Sequence, residues 1–232
     1  MVMAAILAGG YGKRLRPITE TIPKPLVEVA GKPILEHQIS WLKKYNVDTI
    51  VFLVGYHKEK IIERIGSGAK LGIKATYVIE EEPRGTAGAI KNAEHILRSE
   101  DIFLVLNGDI ITNLNPLPLI ETVKALGAYA GLAAVPLRSP YGILDIEGDY
   151  IKRFIEKPVI PDYWINGGVY VMTPKVFDYL PDKGDIERKG FPELASEGKL
   201  ATVKYKEVFW KSIDTHKDIE EASKEIERMG NL

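Results

Sequence analysis

Short apolar runs alternate with segments of helical spacing in the first half of the chain. Four apolar runs are candidate strands: residues 2–7, 49–54, 73–79 and 102–106. Between them, apolar residues recur near every third or fourth position in three segments: 34–45, 59–65 and 86–97. Strands alternating with helices predict an α/β fold, an open, mixed but mainly parallel sheet with helices on both faces.

The second half of the chain has a different pattern, richer in closely spaced strands with few helices between them. The candidate strands are residues 128–135, 142–146, 150–155 and 168–172. A last helix is predicted over 217–229, with Ile219, Ala222 and Ile226 on one face. Since no Ser/Gly-rich linker or charge block marks a boundary, we expect a single domain over 1–232, with halves 1–115 and 116–232.

Composition narrows the classes of function. The 232 residues include no cysteine, which excludes a disulfide scaffold, a thiolate zinc site and a cysteine nucleophile. The net charge of −1 gives no sign of a nucleic-acid partner. The apolar N-terminus lacks a basic region before it and reaches Gly9 within a few residues, so it indicates a strand and not a signal peptide. No apolar run is long enough to cross a membrane, and a cytoplasmic location is expected.

A basic glycine loop, Leu7-Ala8-Gly9-Gly10-Tyr11-Gly12-Lys13-Arg14-Leu15-Arg16, directly follows the first predicted strand. Open parallel sheets bind ligands at this end of their strands. Glycines let backbone N–H groups approach a phosphate, and the basic side chains add positive charge. The loop matches neither the dinucleotide fingerprint, whose third glycine is missing, nor the P-loop, which needs Ser or Thr after Gly-Lys. A glycine turn with solvated basic residues is the alternative.

Lys24 lies between two prolines, Pro23 and Pro25. Because proline restricts its own backbone and that of the preceding residue, we expect Lys24 to have an extended backbone. An ammonium group fixed near the glycine loop suits a triphosphate under attack. An ordinary rigid loop is the alternative.

Two aspartates are candidate metal ligands. Asp109, in Asn107-Gly108-Asp109, follows the most apolar predicted strand and is placed to hold Mg²⁺, although an Asx turn would explain the same residues. Asp214 lies just before the last predicted helix, where an N-cap is the alternative.

The glycine loop, the Pro-Lys-Pro-Leu segment and Gly31-Lys32-Pro33, in this order, resemble the sugar-1-phosphate nucleotidylyltransferases. The resemblance continues to about Asp214 and is closest to the mannose- and heptose-1-phosphate guanylyltransferases. It implies a Rossmann-like α/β fold with a small β-rich sugar-binding lobe in the second half. It further implies a Mg²⁺-dependent enzyme that transfers NMP from a nucleoside triphosphate to a sugar 1-phosphate and releases pyrophosphate. Lys13 is a departure, since many members have threonine there.

The resemblance also implies a role for individual residues. The implied site consists of catalytic Arg14 and Lys24; nucleotide-binding Leu7, Ala8, Gly9, Gly10, Gly12, Lys13, Glu80, Gly85, Thr86 and Gly108; sugar-phosphate-binding Gly142, Glu156, Lys157 and Asn166; and the metal ligands Asp109 and Asp214. A carboxylate and an amide can bind sugar hydroxyls, and Lys157 can neutralise the sugar's phosphate. Many relatives have a C-terminal β-helix, and the chain's length leads us to expect a catalytic domain with no such extension.

Glu80 is the residue that indicates which base the site prefers. Uridylyl- and thymidylyltransferases typically have glutamine at this position. Guanine presents adjacent N1–H and N2–H₂ donors that one carboxylate can accept, whereas uracil and thymine flank a single N–H with two carbonyls. Unpaired buried polar groups reject wrong substrates, so Glu80 favours GTP over UTP or dTTP. Arg84, where leucine is usual, departs from the family pattern.

Two other classes of protein are alternatives to such an enzyme. A non-catalytic NDP-sugar sensor would not need Arg14, Lys24, Asp109 and Asp214 together. A nicotinamide-dependent oxidoreductase is weakened by the missing third glycine. The oligomeric state is left open, with a homo-oligomer among the alternatives, and the sugar is not identified.

Overall fold

The computed structural model describes residues 2–230. The β-strands of this part of the chain are β1 (Met3–Ala8), β2 (Glu28–Val29), β3 (Lys32–Pro33), β4 (Thr49–Val54), β5 (Lys74–Ile79), β6 (Phe103–Asn107), β7 (Ile110–Thr112), β8 (Ala130–Arg138), β9 (Ile143–Glu147), β10 (Tyr150–Ile155), β11 (Val159–Met172), β12 (Leu200–Lys204) and β13 (Trp210–Ser212). The α-helices are α1 (Ile18–Thr21), α2 (Ile34–Lys44), α3 (Lys58–Ile65), α4 (Gly85–Asn92), α5 (Glu94–Leu97), α6 (Leu117–Leu126), α7 (Gly190–Ser196) and α8 (His216–Met229).

Seven strands form one sheet in the order β12-β8-β11-β6-β1-β4-β5. β1 pairs in parallel with both β4 and β6, and β5 and β12 are also parallel to their neighbours. β11 is antiparallel to β6 on one side and to β8 on the other. The predicted mixed, mainly parallel sheet is therefore confirmed, and β11 is its reversed strand.

Alternate residues of β1 enter two different apolar cores, one on each face of the sheet. Ala4 and Ile6 pack into a core that includes Leu35 of α2 and Leu119 of α6. Ala5 points to the opposite face, into a core formed with α4, α7 and the 3-10 turn Pro174–Tyr179. Helices therefore cover both faces, as the alternation of apolar runs predicted. Among residues 2–230, no helix has both the length and the apolar character needed to span a bilayer.

The last helix, α8, closes a third and smaller core that includes Leu15, Val29 and Ile213. Ala222 and Ile226 are buried in it and Ile219 packs at its edge, as predicted. The helix is capped by Thr215, whose hydroxyl accepts from the backbone N–H of Asp218 while the Asp218 carboxylate accepts from the N–H of Thr215. Because Thr215 occupies the N-cap, Asp214 is not the cap of this helix.

The structure corrects several predictions for the helices. The single helix predicted over 86–97 is two helices, α4 and α5, interrupted at Ala93, whose ψ of 5° breaks the helical path. No α-helix lies between the strands predicted over 128–172, as expected, whereas α6 before them and α7 after them were not predicted. Pro116 and Pro118 fall at the start of α6, where proline leaves no additional N–H unpaired.

Among the strands, the predicted strand 168–172 is the final part of the long strand β11. Gly168, with φ of 67°, lies within the second of two shifts of register in β11, the one between Asn166 and Tyr170. β12 and β13 were not predicted. Both are short and only partly buried, so their apolar pattern is weak.

Candidate active site

The glycine loop begins where β1 ends, at the carboxyl edge of the sheet. Gly12 has φ of 61°, and its carbonyl accepts a hydrogen bond from the Thr19 hydroxyl at 2.8 Å. A Cβ at Gly12 would lie 2.9 Å from Cγ2 of Thr19, so glycine is needed both for conformation and for space. A 3-10 turn over Lys13–Leu15 then buries Leu15 and leaves the Arg14 side chain 71% exposed.

The Asn107-Gly108-Asp109 turn crosses the end of β1 at close range. The N–H of Gly108 donates to the Leu7 carbonyl at 3.0 Å, and a Cβ on Gly108 would lie 2.2 Å from that oxygen. The Gln38 amide, on α2, donates to the carbonyls of Asn107 and Ile110 at 2.8 and 2.9 Å. Gln38, which sequence reasoning missed, thus holds both ends of the turn that presents Asp109.

Lys24 joins the two predicted metal ligands. Its Nζ lies 2.6 Å from Oδ2 of Asp109 and 2.6 Å from Oδ1 of Asp214, and its side chain is only 13% exposed. Arg14 reaches the same Oδ1 of Asp214 at 2.8 Å, while Ser212 donates to Oδ2 at 2.9 Å. Two carboxylates and two cations therefore meet at one point, with Lys24 between the acids.

The backbone of Lys24 differs from the expectation. Residues Lys24–Leu26 form a 3-10 turn, with the N–H of Leu26 donating to the Pro23 carbonyl at 2.9 Å. The prediction of an extended backbone at Lys24 is therefore wrong, because the turn's own hydrogen bonds outweigh the preference of a residue before proline. The expected fixed position of the ammonium near the glycine loop is confirmed by the ion pairs.

Glu80 follows β5 and packs its carboxylate against two glycines. A Cβ on Gly9 would lie 2.3 Å from Oε1 of Glu80, and one on Gly55 would lie 3.0 Å from the same atom. Oε2 accepts from the backbone N–H of Arg84 at 3.2 Å. Burial raises the pKa of the Glu80 carboxyl, and the hydrogen bond and charge of Arg84 only partly oppose this rise.

The start of α4 is fastened to a loop from the second half of the chain. Gly85 has φ of 73°, and a Cβ there would lie 2.5 Å from the Gly184 carbonyl oxygen. The Thr86 hydroxyl donates to the Glu187 carboxylate at 2.8 Å and accepts from the N–H of Ile186 at 2.9 Å. These contacts bring Asp185 to the wall of the site.

These segments enclose a cavity of about 410 Å³ at the carboxyl edge of the sheet. Fourteen predicted residues line it: Leu7, Ala8, Gly9, Gly10, Gly12, Lys13, Arg14, Lys24, Glu80, Gly85, Thr86, Gly108, Asp109 and Asp214. Tyr11, Pro25, Pro83, Ala89, Asn107 and Asp185 also line it and were not predicted. Asn107 belongs to the Asn107-Gly108-Asp109 motif that the sequence analysis singled out for Asp109. No local sequence pattern distinguishes Asp185.

The four residues predicted to bind the sugar phosphate do not line this cavity. Gly142, Glu156 and Lys157 lie at the base of the β9–β10 hairpin, where a Cβ on Gly142 would be 3.1 Å from Oε2 of Glu156. Glu156 and Lys157 form a largely exposed pair with 3.6 Å between Nζ and Oε1. Asn166, on β11, donates to the Tyr170 hydroxyl at 2.9 Å and accepts from the N–H of Gly168 at 2.9 Å.

The donor atoms in the cavity fit a magnesium ion. Residues 2–230 contain no group of three or more His, Cys, Asp or Glu side chains arranged to hold a metal. Mg²⁺ is usually held by only one or two carboxylates, with water and substrate phosphates completing its coordination. Asp109 and Asp214 supply two carboxylates directed at a common point, and the nearby Asn107 Oδ1 is buried without a hydrogen-bond partner.

The family model for nucleotidyl transferases matches residues 3–229 of this chain. The chain therefore belongs to the nucleotidyl transferase family, which confirms the resemblance drawn from the sequence motifs.

Among its relatives are mannose-1-phosphate guanyltransferases from Yarrowia lipolytica, 40% identical over 221 residues, and Saccharomyces cerevisiae, 39% identical over 222 residues. Each alignment covers 92% of this chain and 61% of the relative, so the chain spans less than two thirds of their length. Among solved structures, HddC from Yersinia pseudotuberculosis is 30% identical with a TM-score of 0.78, covering 97% of this chain and 100% of that one. A second HddC structure, complexed with GMP-PN, has a TM-score of 0.73.

The burial of Glu80 predicts a specific pH dependence of stability. Burial raises the pKa of folded Glu80 above its value in the unfolded chain, so the folded protein holds a proton that the unfolded chain releases as pH rises between the two values. The free energy of unfolding of the wild type therefore falls over this pH interval. A variant with a neutral amide at position 80 has no such loss. Glu80→Gln is expected to raise the free energy of unfolding at neutral pH and to change it less at acid pH.

Urea unfolding across the acid range tests this prediction. Glu82→Gln, at an exposed neighbouring position, is the matched control and should follow wild type at every pH. A difference between Glu80→Gln and wild type that stays constant with pH would contradict the expected effect of burial.

Proposed function

We propose that this chain transfers NMP from a nucleoside triphosphate to a sugar 1-phosphate, releasing pyrophosphate, with GTP as the favoured nucleotide. The observation that carries the proposal is the meeting of Lys24, Asp109, Asp214 and Arg14 at one end of the glycine-walled cavity. Cations beside carboxylates that can hold a metal ion are what phosphoryl and nucleotidyl transfer require.

In the proposed mechanism, an oxygen of the sugar phosphate attacks the α-phosphorus in line. A new P–O bond forms, the bond to the β-phosphate breaks, and pyrophosphate leaves with that electron pair. No covalent enzyme intermediate is needed, so the residues act by positioning and by neutralising charge. When bound, Mg²⁺ held by Asp109 and Asp214 supplies positive charge to the reacting phosphates.

Each cation has a distinct proposed role. Lys24, fixed by its two ion pairs, stabilises the α-phosphate, and the exposed Arg14 stabilises the departing pyrophosphate. Lys157 neutralises the incoming sugar phosphate, and Gly142, Glu156 and Asn166 bind the sugar. Glu156 and Lys157 lie outside the cavity lining, so this role requires a substrate that extends from the cavity toward the hairpin base.

The preference for GTP rests on Glu80. Its carboxylate lies in the cavity wall between Gly9 and Gly55, where it can accept both Watson–Crick donors of guanine. The names of two relatives, mannose-1-phosphate guanyltransferase, and the HddC structure with GMP-PN support this choice.

A second candidate is a UTP- or dTTP-dependent enzyme, and one observation favours it. A putative glucose-1-phosphate thymidylyltransferase from Bacillus anthracis is 26% identical to this chain, with a TM-score of 0.78 over 97% of it.

Pyrophosphate release with Mg²⁺ tests the proposal. GTP, UTP, dTTP, ATP and CTP are each combined with mannose, glucose, N-acetylglucosamine and heptose 1-phosphates. We expect release with GTP. Release confined to UTP or dTTP would retain the reaction and overturn the guanine assignment. If folded protein releases no pyrophosphate in any combination, the proposed reaction is contradicted. The alternative of a non-catalytic NDP-sugar sensor would then be favoured.

Asp109→Asn is expected to lower kcat by at least roughly a hundredfold, because a bound metal contributes several kcal/mol of charge stabilisation. The amide is nearly the same size, so thermal unfolding should show a folded protein. Asp101→Asn, at an exposed position before β6, is the matched control and should retain full activity. Near-normal turnover by Asp109→Asn would eliminate Asp109 as a metal ligand.

Two adjacent glycines provide a paired test of the base site. Gly9→Ala would place a Cβ 2.3 Å from Oε1 of Glu80 and displace that carboxylate, whereas a Cβ on Gly10 meets no atom within 4 Å. We expect Gly9→Ala to raise the KM for the nucleotide at least tenfold and to reduce the preference for GTP over UTP. Gly10→Ala leaves Glu80 in place, so it should keep that preference even where the added methyl group weakens phosphate binding. Equal effects of the two substitutions on the preference would contradict a base-binding role for Glu80.

A further inference from the structure

Gln38 is a polar side chain on the buried face of α2. Its neighbours on that face, among them Leu35, Ile39 and Leu42, are apolar and pack into the core on one side of the sheet. Gln38 is only 3% exposed, and its Oε1 atom has no hydrogen-bond partner among residues 2–230. Burial of an amide is unfavourable unless its hydrogen bonds are replaced. An apolar residue would fill this position with a smaller penalty, so packing alone does not explain the amide.

The other end of the amide, Nε2, has two partners. It donates to the carbonyl of Asn107 at 2.8 Å and to that of Ile110 at 2.9 Å. These carbonyls belong to the last residue of β6 and the first residue of β7, on either side of Gly108 and Asp109. Because both donors of one planar amide are used, the two carbonyls are held in fixed places. The Gln38 side chain therefore constrains the short turn between them.

Two backbone hydrogen bonds fix the same turn from other directions. The N–H of Gly108 donates to the Leu7 carbonyl at 3.0 Å, and the Asp109 carbonyl accepts from the N–H of Ile213 at 2.9 Å. Ile213 directly precedes Asp214, so the second bond relates the two aspartates through the backbone. The position of the Asp109 carboxylate relative to Asp214 thus depends on how firmly this turn is held.

The Gly31-Lys32-Pro33 motif, which has no role in the proposed mechanism, determines where α2 begins. Gly31 has φ of 71° in the turn between β2 and β3, and Pro33 ends β3 and is the N-cap of α2. The N–H of Ile34 donates back to the Val27 carbonyl at 3.0 Å. Since Gln38 lies in the second turn of α2, a shifted start of the helix would turn its side chain away from the β6–β7 turn.

We propose that Gln38 is a positioning residue for the transfer reaction, because its amide group fixes the turn that presents Asp109. The inference rests on the proposed function. Gln38 is not among the residues that line the cavity, so it acts through Asp109 and not by contact with a substrate. Lys24 holds the Asp109 carboxylate from the cavity, and Gln38 holds the backbone of the same turn from α2.

Gln38→Met removes the donor and nearly keeps the length of the side chain. We expect kcat to fall about tenfold or more, since a misplacement of about 1 Å can lower a rate by about a hundredfold. The KM for the nucleotide should stay within about twofold of wild type, because the glycine loop and Glu80 are unchanged. Gln38→Leu, with a residue type common on this face, is a second variant should Gln38→Met not fold, and the same split is expected.

Trp41→Phe is the matched control on the same helix. Trp41 is 5% exposed, and its Nε1 donates to the Leu114 carbonyl at 2.8 Å, outside the turn that presents Asp109. This substitution should lower the free energy of unfolding and leave kcat within about twofold of wild type. A normal kcat in the Gln38 variants would overturn the proposal, as would an equal loss of kcat in Trp41→Phe.

A double-mutant cycle in urea unfolding gives a readout that needs no activity. Asp109→Asn is introduced into wild type, Gln38→Met and Trp41→Phe. Its effect on the free energy of unfolding should differ between wild type and Gln38→Met, and be the same in wild type and Trp41→Phe, because only coupled positions deviate from additivity. Equal effects in all three backgrounds would contradict the positioning role. Because the cycle requires no substrate, failure of this inference is distinguished from failure of the proposed reaction.

Discussion

The Lys24 ammonium between Asp109 and Asp214 is the interaction on which the rest of the site depends. Two carboxylates directed at one point repel each other, and the largely buried cation between them offsets that repulsion. Its three members come from a 3-10 turn, the end of β6 and the segment before α8. The same interaction therefore joins the glycine-loop region to both halves of the chain.

The parallel sheet explains why these segments can meet. β1, β4, β5 and β6 run in one direction, so the segments that follow them end at one edge and supply the glycine loop, Gly55, Glu80 and Asp109. Close backbone approaches then define the cavity: Gly108 against Leu7 and Gly9 against Glu80 leave no room for a Cβ. The cavity is thus formed by backbone and a few charged groups, as a phosphate-rich ligand requires.

The β9–β10 hairpin differs from the main sheet in the exposure of its apolar side chains. The main sheet buries both faces between helices, whereas the hairpin leaves Leu144, Ile146, Ile151 and Phe154 exposed on one face and pairs Asp145 with Arg153 on the other. Glu156 and Lys157 follow directly at its base, beside Gly142.

The sequence by itself determined the α/β alternation, the glycine loop and the family, because periodicity and motif spacing are local properties that survive in any context. It also identified Lys24, Asp109 and Asp214, but not that they meet, since Lys24 is 85 and 190 positions from the two aspartates. Gln38 and Asp185 escaped detection because their importance lies only in contacts with distant segments. The turn at Lys24, the Thr215 cap and the hairpin's two faces were decided by hydrogen bonds and register, which exist only once the chain has folded.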